Sequence, residues 1–289
     1  MTRVAAIDCG TNTIRLLIAE ADRDQAGRPR LEVLRRRNEI VRLGQGVDRT
    51  GLLDSEALER TLAAVASYAA DCTELGVAPG GDVRRFVATS ATRDARNRED
   101  FVAGVRRLLG IEPEVVSGQE EARLSFTGSL LGAGEDEGTP ESGKRAPAPR
   151  LVVDLGGGST ELVLGDARVE QAVSVNMGAV RVTEKFLSGV DPAGGVPPQD
   201  EARVVAWVDE QLDVAEKSVD LGRVRTLVGV AGTVTTLTAQ ALGLTSYQPE
   251  RIHGAALSEE EIGAAVRFMV DQPVALKAGW DSCPKGART

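Results

Sequence analysis

A single histidine, His253, stands in a chain of 289 residues. That scarcity removes Ser-His-Asp, Cys-His and His-metal schemes that need more than one imidazole, so proton handling falls to carboxylates. His253 itself, next to Gly254, reads as a satisfied, partly buried side chain. The three cysteines (Cys9, Cys72, Cys283) are too few and too scattered for a disulfide framework or a zinc site, and they imply a reducing cytoplasm. Aromatic residues make up 3%, so the cores must be built from Val, Leu, Ala and Ile. No apolar run is long enough for a membrane span or a signal peptide, since the first, of about eight residues, is broken by Asp8. Basic excess is missing too: a net charge of −9 excludes general affinity for nucleic acid or anionic membranes, though not a local anion patch. Clustered arginines (Arg35, Arg36, Arg37; Arg84, Arg85, Arg93, Arg96, Arg98) read as solvated faces unless a site recruits them.

What is present is an ordinary globular composition, 42% hydrophobic and 27% charged, in a length that favours two domains. Residues 4–9 and 13–20 form a hairpin hinged at `CGTNT`, and 31–43 alternate as a third strand ending in the glycine loop `RLGQGV`. Leu58, Leu62, Val65, Ala66 and Ala69 recur at helical spacing from Ser55, the expected N-cap. A strand in `RRFVATSAT`, a helix stopped at Gly110, a short strand in `PEVVSGQ` and a helix in `EEARLSFTGSLLGA` follow. Residues 132–149 lack apolar periodicity and read as a flexible loop. A new strand-turn-strand signature then starts at Leu151. It is followed by a helix near 199–218, the strand `RTLVGVAG`, a helix from Thr233 and a capped helix from Ser258. Strands alternating with helices indicate an α/β fold. The repeated opening implies related halves, 1–117 and 118–289, facing each other across a cleft.

The repeat carries the chemistry. `LVVDLGGGSTE` (151–161) and `VAAIDCGTNT` (4–13) both run from an apolar strand into Asp, glycine and hydroxyls. Gly156, Gly157 and Gly158 permit positive φ and close backbone approach, so amides can converge on a phosphate with Ser159 and Thr160 as further donors. Gly10, Thr11, Asn12 and Thr13 repeat the pattern. Asp154 and Glu161 offer hard oxygen ligands to Mg²⁺ or Mn²⁺, with Asp8 as the matching aspartate. The bland alternative is a glycine hairpin turn capped by its aspartate. A third loop, `GVAGTVTT` (229–236), places Gly232 and Thr233 at a helix N-terminus that favours anions. Arg93 can either grip phosphate oxygens with two prongs or cap a strand exit. Glu120 and Glu121 stand at a helix start, and neighbouring helical positions diverge by about 100°. Only one of them can therefore serve a given water, and spacing does not choose which.

Seven linked motifs, from about residue 4 to 258, carry a resemblance: `AAIDCGTNTIRLLIA`, `ATSATRDARN`, `VVSGQEEARLSFTG`, `LVVDLGGGSTELVLG`, `NMGAVRVTEKF`, `GVAGTVTTLTA` and `RIHG`. Their order is similar to that of the exopolyphosphatase/guanosine pentaphosphatase family, in its short two-domain, actinobacterial style. The resemblance implies two ribonuclease-H-like domains of the sugar kinase–Hsp70–actin type with the active cleft between them. It also implies Glu121 as the water-activating base, Arg93 on phosphate, and a divalent cation near Asp154 and Glu161. The implied substrate is inorganic polyphosphate or guanosine pentaphosphate, and a homodimer is possible. Competing classes are an actin-like ATPase or phosphotransferase, which ordinarily needs a longer second domain, and a non-catalytic alarmone or phosphate sensor. The tail after about Met269 departs from the family pattern and reads as a replaced or truncated terminus.

Overall fold

The protein is described by a computed structural model that covers residues 2–23, 27, 29–132, 146–274 and 276. The chain divides into two compact units, Met1–Ser117 and Gly118–Thr289. In the first, β1 (Thr2–Cys9), β2 (Thr13–Arg23), β3 (Pro29–Ile40), β4 (Arg84–Ala88) and β5 (Glu114–Val115) form a sheet in the order β3-β2-β1-β4-β5. β2 is antiparallel to both neighbours, whereas β1, β4 and β5 run parallel. Alternation sends Ala5, Ile7 and Cys9 to the buried face of β1, where Phe86 and Ala88 of β4 join them. The helices α1 (Val47–Thr50), α2 (Ser55–Glu74), α3 (Ser90–Asp94) and α4 (Arg98–Leu109) complete the unit. Val65, Tyr68 and Cys72 of α2 and Phe101 and Val105 of α4 close the core. Phe86 and Phe101 meet edge-on with centroids 5.9 Å apart, an arrangement that adds about 0.5–1.5 kcal/mol to their burial.

The helix ends follow local chemistry, with one correction. The N-cap of α2 is Asp54, not Ser55: its carboxylate accepts from the Glu56 and Ala57 amides, both at 3.1 Å. An ionised oxygen is the stronger acceptor for orphan amides. Gly110 ends α4 with φ 71°, a left-handed cap that glycine adopts without strain.

The second unit contains α5 (Gly118–Gly132), β6 (Arg150–Leu155), β7 (Thr160–Gly165), β8 (Val169–Val175), α6 (Ala179–Val182), a π-helical turn (Thr183–Leu187), α7 (Pro198–Glu216), β9 (Thr226–Val230), α8 (Ala231–Ala241), α9 (Pro249–Ile252) and α10 (Glu259–Asp271). Its sheet is ordered β8-β7-β6-β9, with β7 antiparallel and β9 parallel to β6. Both units therefore repeat one order, third-second-first-fourth strand with the second reversed, which is the ribonuclease-H-like sheet.

β8 and the turn after it carry no helix or strand in the sequence reading. α8 starts at Ala231, two residues before Thr233. Ser258 caps α10 in a reciprocal box with Glu261, as its spacing predicts. His253 is exposed rather than partly buried, because it follows the last turn of α9 at the surface. The first tail residues are tied down: Val196 N–H donates to Val270 O, and Val274 N–H to Pro192 O, both at 2.9 Å. The remainder of the tail, 275 and 277–289, and residues 133–145 of the expected loop lie outside the described residues. At the near end of that loop, Arg225 N–H donates to Pro149 O.

Candidate active site

Both Asp-Gly-hydroxyl loops are clamped by the segment that leaves the third strand of their own sheet. In the second unit, Gly156 O accepts from Ala179 N–H at 3.0 Å. Gly157 O accepts from Val180 and Arg181 N–H at 2.9 and 3.2 Å, and Gly158 O from Arg181 Nε at 3.0 Å. A trans peptide holds its C=O and the following N–H antiparallel. The amides of Gly157, Gly158 and Ser159 are thereby turned away from the clamp, and among the described residues none has a backbone acceptor. In the first unit, Gly44 N–H donates to Thr11 O at 2.8 Å. Val41 and Arg42 N–H donate to Asn12 O at 3.0 and 2.9 Å, and the Asn12 amide is turned away in the same sense. Amides aligned in this way form an anion-binding concavity.

Glycine serves these loops differently from expectation. Gly10, Gly156, Gly157 and Gly158 all have negative φ. What requires small residues is close approach. A Cβ on Gly178 would overlap Gly157 O and come within 2.7 Å of Gly158 N, and one on Gly44 would overlap Thr11 Cγ2. The hydroxyls are also allocated internally. Thr160 Oγ1 donates to Met177 O at 2.5 Å, and Thr11 Oγ1 shares a hydrogen bond with Ser90 Oγ at 2.8 Å. Ser159, 2% exposed, hydrogen-bonds Glu161. Thr160 and Thr11 thus brace the loops, whereas the sequence reading had them facing phosphate. Buried hydroxyls take the nearest carbonyl or hydroxyl because leaving them unpaired costs more than a solvent-facing contact returns.

The carboxylates converge in the second unit. Asp154 on β6 is opposite Glu161 on β7, and Glu161 is opposite Ser174 on β8, so the three side chains share one face. α5 lies on that face. Ala122 and Phe126 sink into the core with Val152 and Val163, Ser125 Oγ donates to Asp154 Oδ2, and Gly118 sits against Ser174, where a Cβ would come 2.5 Å from the serine Cβ. Glu121, one turn before Ser125, brings its charge to Glu161. Burial first, and then the charge of Glu121, push the Glu161 carboxyl up to about 8, against hydrogen bonds from Ser174 and Ser159. Glu161 is 1% exposed. Glu120 faces elsewhere, in a two-pronged pair with Arg123 at 2.6 and 2.8 Å.

The remaining predicted residues fall at strand exits, where open α/β sheets bind ligands. Val230, which ends β9, is the register neighbour of Asp154, so Gly232 and Thr233 begin α8 beside the glycine loop. Asp8, near the end of β1, pairs with Arg15 at 3.0 Å. Thr13 opens β2. Arg93 in α3 donates from Nη1 to Val116 O at 2.9 Å, bracing the exit of β5.

The chain matches a family model, described as the Ppx/GppA phosphatase family, over residues 18–272. The chain belongs to the Ppx/GppA phosphatase family. It is 44% identical over 258 residues to Exopolyphosphatase 2 of Mycobacterium tuberculosis, which covers 88% of this chain and 75% of that protein. Among solved structures it is similar to an exopolyphosphatase-like protein, at 42% identity with a TM-score of 0.85 over 99% of this chain and 84% of the other. A family member from Aquifex aeolicus matches at 29% identity and a TM-score of 0.71, over 99% and 85% of the two chains.

A family phosphatase site invites a divalent cation. Among the described residues no group of three or more His, Cys, Asp and Glu side chains is arranged to hold a metal. The donor set nevertheless suits Mg²⁺ or Mn²⁺. Mg²⁺ keeps several waters and needs only one or two carboxylates beside substrate phosphates. Asp154 and Glu161 are two such carboxylates, opposed on one face.

The strand-exit clamps, Val41–Gly44 and Gly178–Arg181, were not singled out as functional from sequence. Their signal was present: each copy has a glycine and an arginine shortly after its third strand.

Proposed function

We propose that this chain is a metal-dependent exopolyphosphatase that releases terminal orthophosphate from inorganic polyphosphate. The observation that carries the reading is Glu121 of α5 set beside the Asp154–Glu161 pair, next to a loop whose three amides turn outward together. The amides of Gly157, Gly158 and Ser159 hold phosphate oxygens in the second unit, and the Asn12 loop and Arg93 offer such contacts in the first. Asp154 and Glu161 would hold the cation, which when bound offsets phosphate charge. Glu121 orients a water and accepts its proton as the water oxygen attacks the terminal phosphorus. The bridging P–O bond breaks, and the shortened chain leaves with the bridging oxygen. Glu161, Ser174 and Ser125 fix the positions of the groups around them. A linear polyanion needs no base pocket, which suits a chain with 3% aromatic residues.

The finer parts of the proposal are Mg²⁺ or Mn²⁺ as the metal, Asp8 as an additional acidic group, a cytoplasmic setting, a homodimer, and guanosine pentaphosphate as a slower substrate. No helix among the described residues is long and apolar enough to cross a membrane. Purified protein is offered polyphosphate, guanosine pentaphosphate and ATP separately, with Mg²⁺ or Mn²⁺, and phosphate release is measured. Polyphosphate is expected to turn over fastest. Hydrolysis of ATP with polyphosphate untouched would replace this reading with an actin-like ATPase.

A further inference from the structure

Hydroxyls inside the helices of this chain repeatedly bond at home. In α5, Thr127 Oγ1 donates to Arg123 O at 2.8 Å and Ser129 Oγ to Phe126 O at 2.7 Å. Thr61, Thr73 and Thr238 likewise donate to the carbonyl four residues back. Such a local bond is a common resting place for a hydroxyl within a helix. Ser125, in the middle of α5, departs from it. Its Oγ leaves the helix and donates to Oδ2 of Asp154, on β6. The helix alone does not call for serine at that position, since alanine is the better helix former.

Glu161 is held in the same manner. Its Oε1 accepts from Ser174 Oγ at 2.7 Å, and Ser159 adds a second hydroxyl. Hydroxyls thus steer both acids of the candidate cation pair, and a hydroxyl orients a carboxylate without cancelling its charge. At Asp154 the steering is one-sided, because Ser125 engages Oδ2. Mg²⁺ demands a tight octahedron, whereas the larger Ca²⁺ takes more oxygens and readily both from one carboxylate. We propose that Ser125 is a positioning residue that sets cation selectivity. By holding Asp154 Oδ2 it presents the aspartate to the cation through Oδ1 alone, which favours Mg²⁺ or Mn²⁺ over Ca²⁺. This rests on the cation placement at Asp154 and Glu161 above. A merely structural tie between α5 and β6 would affect every ion alike.

The test reads binding rather than turnover. Free Mn²⁺ is followed by electron paramagnetic resonance as protein is added, and Mg²⁺ and Ca²⁺ are then titrated as competitors. Ser125→Ala should weaken Mn²⁺ and Mg²⁺ binding about tenfold or more, the usual cost of losing an outer partner of a metal ligand. Ca²⁺ affinity should hold or rise, so the preference for Mg²⁺ over Ca²⁺ drops by about the same tenfold. The metal-free melting temperature should change little, because alanine suits the helix. Ser125→Thr keeps the hydroxyl and should keep the wild-type preference. Thr127→Ala removes a hydroxyl bonded within its own helix and should leave all three affinities unchanged. Equal losses for all three ions, an unaltered preference in Ser125→Ala, or the same drop in Thr127→Ala would overturn the inference. Asp154→Ala separates it from the reading beneath. If that variant binds Mn²⁺ as tightly as wild type, the cation placement itself fails and takes the inference with it. Weak Mn²⁺ binding by Asp154→Ala beside an unaltered preference in Ser125→Ala would sink the inference alone.

Discussion

Asp154 and Glu161 face each other directly across the β6–β7 ladder, so both carboxylates leave the same side of one sheet. Asp154 ends its strand where α5 meets the sheet, and its removal leaves the core clusters intact. Asp154→Ala should therefore abolish phosphate release while the melting curve changes little. Full activity in that variant, or in wild type treated with EDTA, would remove the metal role from this pair.

Glu121→Gln keeps size and loses basicity. Turnover should fall about 10²–10⁴-fold, the usual contribution of a positioned general base, with polyphosphate binding retained. Glu120→Gln weakens a partly exposed ion pair with Arg123 and should cost far less. Steady-state kinetics on both variants decide the matter, and reversed effects would reassign the base.

Arg93 already braces the Val116 carbonyl with one nitrogen. If its fork also holds phosphate, Arg93→Lys should lower kcat/KM for short and long polyphosphate, because a point charge does not replace a planar two-pronged donor. A lower melting temperature with unaltered kinetics would leave it a structural brace only.

A methyl group on Gly178 has no room against the Gly157 peptide. Gly178→Ala should destabilise the protein by about 1–3 kcal/mol, the common cost of overpacking, and should depress activity by displacing the glycine loop. Gly189→Ala, with open space around the added carbon, is the matched control and should leave activity unchanged. Denaturant midpoints and phosphate release are the readouts. Equal behaviour of the two variants would show that the clamp is not needed.

Away from the site, Asp71 gives a pH signature. Burial works against its charge, but hydrogen bonds from Arg37 and Arg35, each at 2.6 Å, outweigh that and hold its carboxyl below the ordinary range. A folded-state pKa below the unfolded value stabilises the protein above the unfolded pKa of about 3.9. That contribution is lost as pH falls through the folded value. Asp71→Asn should thus be less stable than wild type at neutral pH, and the gap should narrow in acid. A gap that does not change with pH would mean that packing, not charge, is the source.

Much of this protein follows from local chemistry, which sequence determines unaided. Alternating Ala5, Ile7 and Cys9 make a strand wherever they are placed, Gly110 stops a helix because only glycine takes that backbone at no steric cost, and the twice-written Asp-Gly-hydroxyl turn places two loops at two strand ends. Ser258 with Glu261 three residues on is a helix start by hydrogen-bond geometry alone. Strand β8 was missed because Glu170 and Gln171, followed by Ala172 and Val173, break the strict alternation of apolar and polar residues that marks a strand. The choice between Glu120 and Glu121 belongs to tertiary structure. Helical spacing separates the two residues by angle, but the face that meets the sheet is set by Ala122 and Phe126 packing on Val152 and Val163. Tertiary structure likewise assigned the hydroxyls of Thr11 and Thr160 to internal bonds and made Gly44 and Gly178 points of close approach. Each of these outcomes depends on a neighbour far away in the chain, and spacing along a sequence carries no information about which atoms a fold will press together.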